Sequence, residues 1–180
     1  MRRLVVVMAV LLISSMSPAV AMGSGNPYLD AQTGLTYSLY KPVNTLGLTQ
    51  TKFALLTCGG GGEQWTYVRF GKTPKQLEIM QVMKGAHCSN PGLSIQLPSV
   101  KINGILATLH VYCDPTKPAV AKKCSIADIA KVGGYFYFTL PGYYAMKATD
   151  IQVQATGGIT YAQLLSVARS FTPASTKASN

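Results

Sequence analysis

Apolar and polar residues alternate along much of the chain, and this alternation predicts β-strands. In the clearest run, 105–112, the odd positions are all apolar: Ile105, Ala107, Leu109 and Val111. The even positions are mixed: Leu106, Thr108, His110 and Tyr112. One buried face and one wetter face are typical of antiparallel sheets. Similar runs predict further strands at 35–40, 53–58, 64–70, 76–83, 93–97, 100–102, 135–140 and 150–156.

Turn-forming residues separate these runs. Residues 71–75 contain Gly and Pro and are predicted to join their flanking strands as a hairpin. Asn103-Gly104 is a strong hairpin signal because both residues tolerate positive φ. The run 53–58 is almost entirely apolar and ends in the glycines of 59–62, so we expect a buried strand that leads into a turn.

Helix signals appear in two segments. Ser125 stands three residues before Asp128, and Gly133 follows, which predicts a short capped helix. Near the C-terminus, Thr160 and Gln163 form a capping box. Apolar residues then recur at helical spacing until Pro173: Tyr161, Leu164, Leu165, Ala168 and Phe171. The predicted fold class is α+β, an antiparallel β-sheet packed by a C-terminal amphipathic helix, plus one short helix.

The N-terminus has the parts of a signal peptide at residues 1–21. Met1-Arg2-Arg3 is basic, 4–13 is uninterruptedly apolar, and the segment ends in a small-x-small pattern. We expect cleavage after Ala21. An uncleaved anchor is the alternative, but a run of about ten residues is too short to cross a hydrocarbon core of roughly 30 Å.

The length of 180 residues and the 48% share of hydrophobic residues suit one domain with its own core, which excludes a disordered or collagen-like chain. After the signal peptide we expect a loose N-terminal lead-in at 22–34. A single α+β domain is predicted at 35–172, followed by a flexible tail at 173–180.

The cysteines are an even set of four, Cys58, Cys88, Cys113 and Cys124, which suits an oxidising compartment. Of the three pairings that four cysteines allow, we favour Cys58 with Cys88 and Cys113 with Cys124 as structural disulfides. A metal site is the alternative, because His87 adjoins Cys88 and His110 lies close to Cys113. The short Cys-x-x-Cys and His-x-x-x-His spacings usual for zinc are missing.

The net charge of +10 reflects scarce acids more than dense bases, since Lys and Arg number 16, Asp and Glu 6, and only 12% of residues are charged. The basic residues are scattered along the chain, without the stripe that binds nucleic acid. Such a surface attracts anionic cell-wall polymers or membranes in a salt-dependent way. We therefore expect an anionic cell-envelope polymer or another envelope protein as partner, and no nucleic acid.

Catalytic motifs are missing from the sequence. It has no Gly-x-Ser-x-Gly elbow, and paired cysteines would leave no thiolate nucleophile. The glycines of 59–62 and the Gly71-Lys72-Thr73 sequence lack the spacing of a phosphate loop. His110, on a strand face, is interpreted as structural. We predict no catalytic residues, no metal and no cofactor.

Aromatic residues offer a candidate contact patch. Tyr143, Tyr144, Met146 and Lys147 lie in one loop, and Trp65 is the only tryptophan. An exposed apolar loop beside a lysine suits a protein, glycan or lipid partner, although the same loop can fold down as a plug.

Two C-terminal stretches carry a family resemblance. The run 100–104 with the strand after it, and the run 157–171, resemble small extracytoplasmic α+β domains of uncharacterised bacterial secreted proteins and lipoproteins, PsbP-like or related. The resemblance covers residues 35–171 as an order of elements. It implies a sheet-and-helix architecture and an extracytoplasmic role in binding or signalling, and it carries over no catalytic residues.

The sequence thus favours a secreted, disulfide-stabilised, non-enzymatic protein that binds a ligand or associates with the cell envelope, with no transmembrane span. The alternative is a small secreted hydrolase, or a hydrolase inhibitor, whose site is built from residues that no linear motif reveals.

Overall fold

A sheet of seven antiparallel strands forms the centre of the fold in the computed structural model. The structure describes residues 24–59, 62–88 and 90–174. The predicted leader, 1–21, and the end of the predicted tail, 175–180, lie outside the described residues. Within the described ranges, none of the helices is long and apolar enough to cross a bilayer.

Strands make up most of the regular structure. They are β1 (Tyr40–Pro42), β2 (Gln50–Thr57), β3 (Gln64–Lys72), β4 (Lys75–Met83), β5 (Ile95–Ile102), β6 (Ile105–Val111), β7 (Gly134–Leu140), β8 (Thr149–Ala155) and β9 (Phe171–Pro173). The helices are short: α1 (Pro27–Gln32), α2 (Pro118–Ala121), α3 (Ile129–Val132) and α4 (Tyr161–Ala168), with a 3₁₀ turn at Ile126–Asp128. This content agrees with the predicted α+β class.

The large sheet has the strand order β2-β3-β4-β8-β7-β6-β5, so β2 and β5 are its edges. β1 and β9 pair separately as a sheet of two strands. The predicted hairpins are confirmed, with β3 joined to β4 and β5 joined to β6. Asn103 and Gly104 turn the second hairpin with φ of 50° and 85°. Because β8 lies between β4 and β7, segments distant in sequence meet at the middle of the sheet.

One face of the sheet is buried. Alternate side chains of its inner strands are at most 1% exposed: Val68, Leu77, Ile79, Leu109, Phe136, Ile151 and Val153. Leu164, Val167 and Ala168 of α4 belong to the same buried cluster. Burying a large apolar side chain stabilises a fold by about 1.5–3 kcal/mol. This face therefore supplies much of the driving force for folding.

The predicted strand at 35–40 is wrong for most of its length. Only Tyr40 belongs to a strand, and Tyr37 makes an isolated bridge to Lys147. Leu35 and Leu39 are buried, at 7% and 0% exposure, as the apolar alternation predicts. The burial of the side chains thus follows the strand pattern, whereas much of the backbone forms its hydrogen bonds outside a β-ladder.

Two glutamines supply several of the missing backbone bonds, and the backbones of Lys147 and Ala174 supply others. Gln81 Oε1 accepts from the Tyr40 N–H at 2.9 Å, and its Nε2 donates to the Tyr40 carbonyl at 2.8 Å. Gln32 Nε2 donates to the Tyr37 carbonyl at 2.9 Å, and its Oε1 accepts from the Leu39 N–H at 2.6 Å. Buried backbone groups must be paired. Because side chains do the pairing here, the alternation could not reveal that a neighbouring strand is missing.

The burial predicted for residues 53–58 is also wrong. All of them except Cys58 lie in β2, an edge strand, where Leu55 and Leu56 are 42% and 37% exposed. An edge strand has a neighbour on one side only, so an apolar run is not enough to bury it. Phe53 is half-buried because its ring packs against Tyr28 of α1, with 5.0 Å between centroids.

The segment 22–34, which the sequence analysis treats as a loose lead-in, contains α1. Asn26 caps this helix, since its Oδ1 accepts from the Tyr28 N–H at 3.1 Å. Tyr28 and Ala31 are buried, at 6% and 4% exposure. At the other end of the chain, the start of the predicted tail is also held, because the Ala174 N–H donates to the Leu39 carbonyl at 2.8 Å.

The C-terminal helix is shorter than predicted. The capping box of Thr160 and Gln163 is confirmed, but α4 ends at Ala168. Phe171 belongs to β9, where it pairs with Pro42 of β1, and not to the helix. The helix ends where this strand pairing begins.

The runs 93–97 and 100–102 form a single strand, β5, with an irregular register between Leu97 and Val100. Pro98 lies in this gap and has no N–H to donate, which suits an edge strand. The turn and helix after Ser125 are confirmed, with Asp128 completing a capping box.

We predict that Gln81→Met destabilises the protein by about 2–4 kcal/mol, because the variant leaves the buried N–H and carbonyl of Tyr40 without partners. Urea unfolding followed by circular dichroism measures the loss. The matched control is Gln96→Met on the exposed edge of β5, which should change stability little. Equal effects of the two substitutions would contradict the role assigned to Gln81.

Candidate functional site

The other face of the sheet carries the polar and aromatic side chains of the same inner strands. We call it the open face. It consists of Trp65, Tyr67, Arg69, Glu78, Met80, Val82, Asp150, Gln152, Gln154, Tyr135, Tyr137, Thr139, Thr108 and His110. Strand alternation forces this set onto one side, since the residues between them form the buried face.

A cleft of about 210 Å³ lies on the open face, bordered by the loop that follows β4. Its walls include Trp65, Met80, Val82, Thr108, His110, Tyr135, Tyr137, Asp150 and Gln152 from the strands. Ala86, His87, Cys88 and Pro91 contribute from the loop. The Cys58–Cys88 disulfide ties this loop to the end of β2. The border of the cleft is thus covalently fixed.

Asp150 holds the loop and one aromatic wall in place. Its side chain accepts hydrogen bonds from the Gly85 N–H at 2.8 Å, the Tyr137 hydroxyl at 2.6 Å and the Thr139 hydroxyl at 2.6 Å. Asp150 is 4% exposed. Burial, together with the charge of Asp150, raises the pKa of the Tyr137 hydroxyl. Because three donors already occupy the carboxylate, Asp150 acts here as a positioning residue.

Gln152 is the polar side chain at the base of the cleft, and it is 5% exposed. Its Nε2 donates to Gln154 Oε1 at 3.1 Å, and Gln154 Nε2 donates to Glu78 Oε2 at 3.3 Å. The Gln152 amide is therefore oriented through its nitrogen. Among the described residues, its Oε1 has no hydrogen-bond partner, so it is an unused acceptor.

Glu78 anchors this chain of amides. Its Oε1 accepts from the Tyr67 hydroxyl at 2.6 Å and from Arg69 Nε at 3.0 Å. Burial, and then the hydrogen bond and charge of Glu78, raise the pKa of Tyr67 to about 12. The carboxylate is thus neutralised by Arg69 and held by Tyr67, which keeps the amides in one orientation.

His110 and Tyr135 form the aromatic end of the cleft. Their rings are stacked, with centroids 4.5 Å apart and planes 4° from parallel. Ser94 Oγ lies 3.3 Å from His110 Nδ1 and 3.4 Å from the Tyr135 hydroxyl. Burial lowers the pKa of His110, which favours the neutral imidazole. A neutral ring offers one donor and one acceptor.

The remaining walls are apolar or aromatic, notably Trp65, Met80 and Pro91. Among the described residues that line the cleft there is no lysine or arginine. The one carboxylate, on Asp150, is occupied by its donors. The cleft therefore combines apolar surface with neutral polar groups.

The residues of the predicted contact patch do not lie together in the structure. Trp65 lines the cleft, and the described lining contains none of the 143–147 loop. The Tyr143 hydroxyl donates to the carbonyl of Leu39 at 2.7 Å and also lies 2.8 Å from Gln32 Oε1, so this ring is part of the packing around the 35–40 segment. Tyr144 is 64% exposed, Lys147 is exposed and Met146 is half-buried. The role of this loop in contacts stays a prediction.

Both favoured disulfides are present. Cys58 pairs with Cys88, and Cys113 with Cys124, at Cα separations of 5.0 Å and 6.1 Å. Cys113, Cys124 and Asp128 are the one group of potential metal ligands in the described ranges. Because both sulfurs are in the disulfide, neither is a thiolate that could ligate zinc.

Gln152, Gln154 and Glu78 carry no motif that marks them in the sequence. The signal that could have found them is their place in β4 and β8, which are inner strands of the sheet. Buried polar side chains in the middle of a sheet pair with one another, with ordered water or with a ligand. That argument requires the strand order, which the pattern of residues does not give.

The chain matches no protein-family model, no curated protein and no solved structure. The geometry of the cleft is therefore the basis for assigning a function.

We predict that His110 makes stability fall as the pH drops. Its folded-state pKa lies below that of an unfolded histidine, so its contribution is complete above about pH 6.5 and is lost as the pH falls through the folded value. Urea unfolding of His110→Gln between about pH 7 and pH 5 should show a weaker pH dependence than the parent protein. The control is Gln96→Met on the exposed edge of β5, which removes no titratable group and should retain the parent slope. A parent slope in His110→Gln would show that this reasoning is wrong.

Proposed function

We propose that this protein is an extracytoplasmic, disulfide-stabilised binding protein that performs no chemistry on its ligand. Its binding site is the cleft on the open face, and its ligand is a neutral, hydroxyl-rich ring such as one unit of a saccharide. The observation that carries the proposal is Gln152, a polar side chain 5% exposed, with a free acceptor between aromatic walls.

A saccharide ring suits the chemistry of these walls. Such rings have an apolar face of C–H groups and a rim of hydroxyls. Trp65 and the His110–Tyr135 stack provide flat surfaces for the apolar face. Gln152 Oε1 provides an acceptor for a hydroxyl, and the Thr108 hydroxyl offers a further polar contact.

Size and charge narrow the choice of ligand. A volume of about 210 Å³ is small beside the roughly 300–1,000 Å³ of sites for drug-sized ligands, so a single ring is the expected occupant. An anionic ligand would lie near Asp150 with no lysine or arginine among the described lining residues. A cation would find the oxygens of Asp150 already bonded to three donors.

Two further features support an extracytoplasmic binding protein. The two disulfides are typical of oxidising compartments. We also propose that α4 packs against the buried face as its cover, since Leu164 and Val167 are buried and the Tyr161 ring lies 5.9 Å from the Phe136 ring. With this cover, a ligand would reach the sheet from the open face only.

A hydrolase remains the alternative, because Ser94 Oγ and His110 Nδ1 are 3.3 Å apart. Nucleophilic catalysis needs a third group that orients the base, and among the described residues the His110 Nε2 has no such partner. Glycoside hydrolysis needs a pair of carboxyl groups across the ligand. Asp150 lines the cleft, whereas Glu78 does not and is held by Tyr67 and Arg69. These arrangements favour binding over hydrolysis.

Fluorescence titration tests the proposed function directly, because Trp65 is the single tryptophan and lines the cleft. Neutral monosaccharides and short neutral oligosaccharides should change its emission saturably. Gln152→Leu should weaken binding by about 10-fold to 100-fold, since the variant loses one buried hydrogen bond to the ligand. The matched control, Gln96→Leu, lies outside the cleft and should bind like the parent.

Several outcomes would contradict the proposal. One is that no neutral saccharide changes the emission, and another is that a uronic acid binds more tightly than its neutral counterpart. Chromatography of the titrated saccharides shows whether any is cleaved. Cleavage that disappears in Ser94→Ala and His110→Gln would establish the hydrolase instead.

A further inference from the structure

A second surface combines exposed apolar side chains with lysines. It is a groove of about 590 Å³ that shares no described lining residue with the cleft. We call it the basic groove and define it by Lys117, Ala119, Val120, Lys123 and Val132. The basic groove and the cleft are therefore two separate surfaces.

Local structure fixes the shape of the basic groove. The Cys113–Cys124 disulfide joins two residues that are 11 positions apart in the sequence, and α2 lies in the loop between them. Pro118 occupies the first helical position of α2, where its missing N–H costs nothing. On the other side, α3 ends at Gly133, whose φ of 84° lets the chain turn into β7. The disulfide therefore holds one wall of the groove, and the turn at Gly133 ends the other.

The apolar side chains of this region are unusually exposed. Val120 is 44% exposed, Val132 is 45% exposed and the neighbouring Ile126 is 48% exposed. Nine large hydrophobic side chains are exposed in the described residues, and three of them lie between residues 120 and 132. A concentration of this kind marks a surface that contacts something apolar.

Lysines surround these apolar side chains. Lys117 and Lys123 line the groove, and Lys122 and Lys131 are exposed beside it. Lys117 lies 3.3 Å from Asp114, so that pair is neutral. In the described ranges, Lys122, Lys123 and Lys131 have no salt-bridge partner.

Two acids line the groove and cancel part of this charge. Asp114 is paired with Lys117, and the Asp128 carboxylate accepts from the Ser125 N–H and hydroxyl, both at 2.9 Å. The Asp128 carboxylate keeps its negative charge, so the groove and its border carry four lysines against two carboxylates, which leaves a net charge of +2 next to apolar surface. The floor also carries Tyr112, whose buried hydroxyl has no partner among the described residues.

We propose that the basic groove binds the anionic surface of a lipid bilayer. Val120 and Val132 enter the headgroup region, and the lysines lie against the lipid phosphates. Apolar burial and electrostatic attraction together are what surface-bound amphipathic segments use. A purely polar anion would leave the valines exposed, and a purely apolar partner would leave the lysines without counter-charges.

Co-sedimentation with vesicles tests this proposal on the full chain. We expect the protein to bind vesicles that contain phosphatidylglycerol and not vesicles of phosphatidylcholine alone. Binding should weaken as salt is added, because exposed charges are screened. Lys122→Gln/Lys123→Gln should lower the partition coefficient by about 5-fold per lysine removed.

Matched controls separate this site from the overall charge. Lys41→Gln/Lys101→Gln makes the same change in net charge at two exposed positions elsewhere and should bind like the parent. Val120→Ser/Val132→Ser should weaken vesicle binding, whereas Val43→Ser, at a position 68% exposed, should not. Near-identical circular dichroism spectra would show that all variants fold.

The proposal fails if the protein does not bind phosphatidylglycerol vesicles, or if the groove and control variants lose binding equally. It also fails if heparin, a soluble anionic polymer, binds the parent and the valine variants alike and competes fully with the vesicles. In that case the lysines would be a site for polyanions. None of these outcomes depends on saccharide binding in the cleft, so the two proposals stand or fall separately.

Discussion

Burial of one face of the seven-stranded sheet is the interaction on which the rest of the structure depends. The inner strands place Ile79, Phe136 and Ile151 on that face, fully removed from water. Strand alternation then dictates the opposite face, where the same strands carry side chains such as Trp65 and Gln152. The cleft lies on this opposite face, where polar groups pair with one another, with water or with a ligand.

Two glutamines on neighbouring inner strands illustrate the difference between a structural and a binding role. Gln81, on the buried side, uses both ends of its amide on the backbone of Tyr40. Gln152, on the open face, lines the cleft and uses its nitrogen on Gln154, while its oxygen has no partner among the described residues. The first amide is consumed in holding the 35–40 segment against the sheet. The second is oriented by a hydrogen-bonded chain that ends at Glu78, as a ligand-binding group would be.

Local sequence patterns predict the individual strands and helices better than the order in which the strands pair. The Asn103-Gly104 turn, the alternation of β6 and the cap at Thr160 were readable because each depends on neighbours in sequence. The 35–40 segment was misjudged because side chains distant in sequence satisfy its backbone, and β2 because its edge position depends on the strand order. The cleft needed the same long-range information, since Trp65, His110 and Gln152 come from three different strands.

The most direct test of the account is to map ligand contacts by two-dimensional NMR on the labelled protein as a neutral saccharide is added. The account predicts that the largest shifts fall on the indole N–H of Trp65, the side-chain amide of Gln152 and the backbone amides around His110. Signals from the basic groove and from the 143–147 loop should stay in place. Shifts confined to either of those surfaces, with the cleft signals unchanged, would contradict the claim that the open face of the sheet is the binding site.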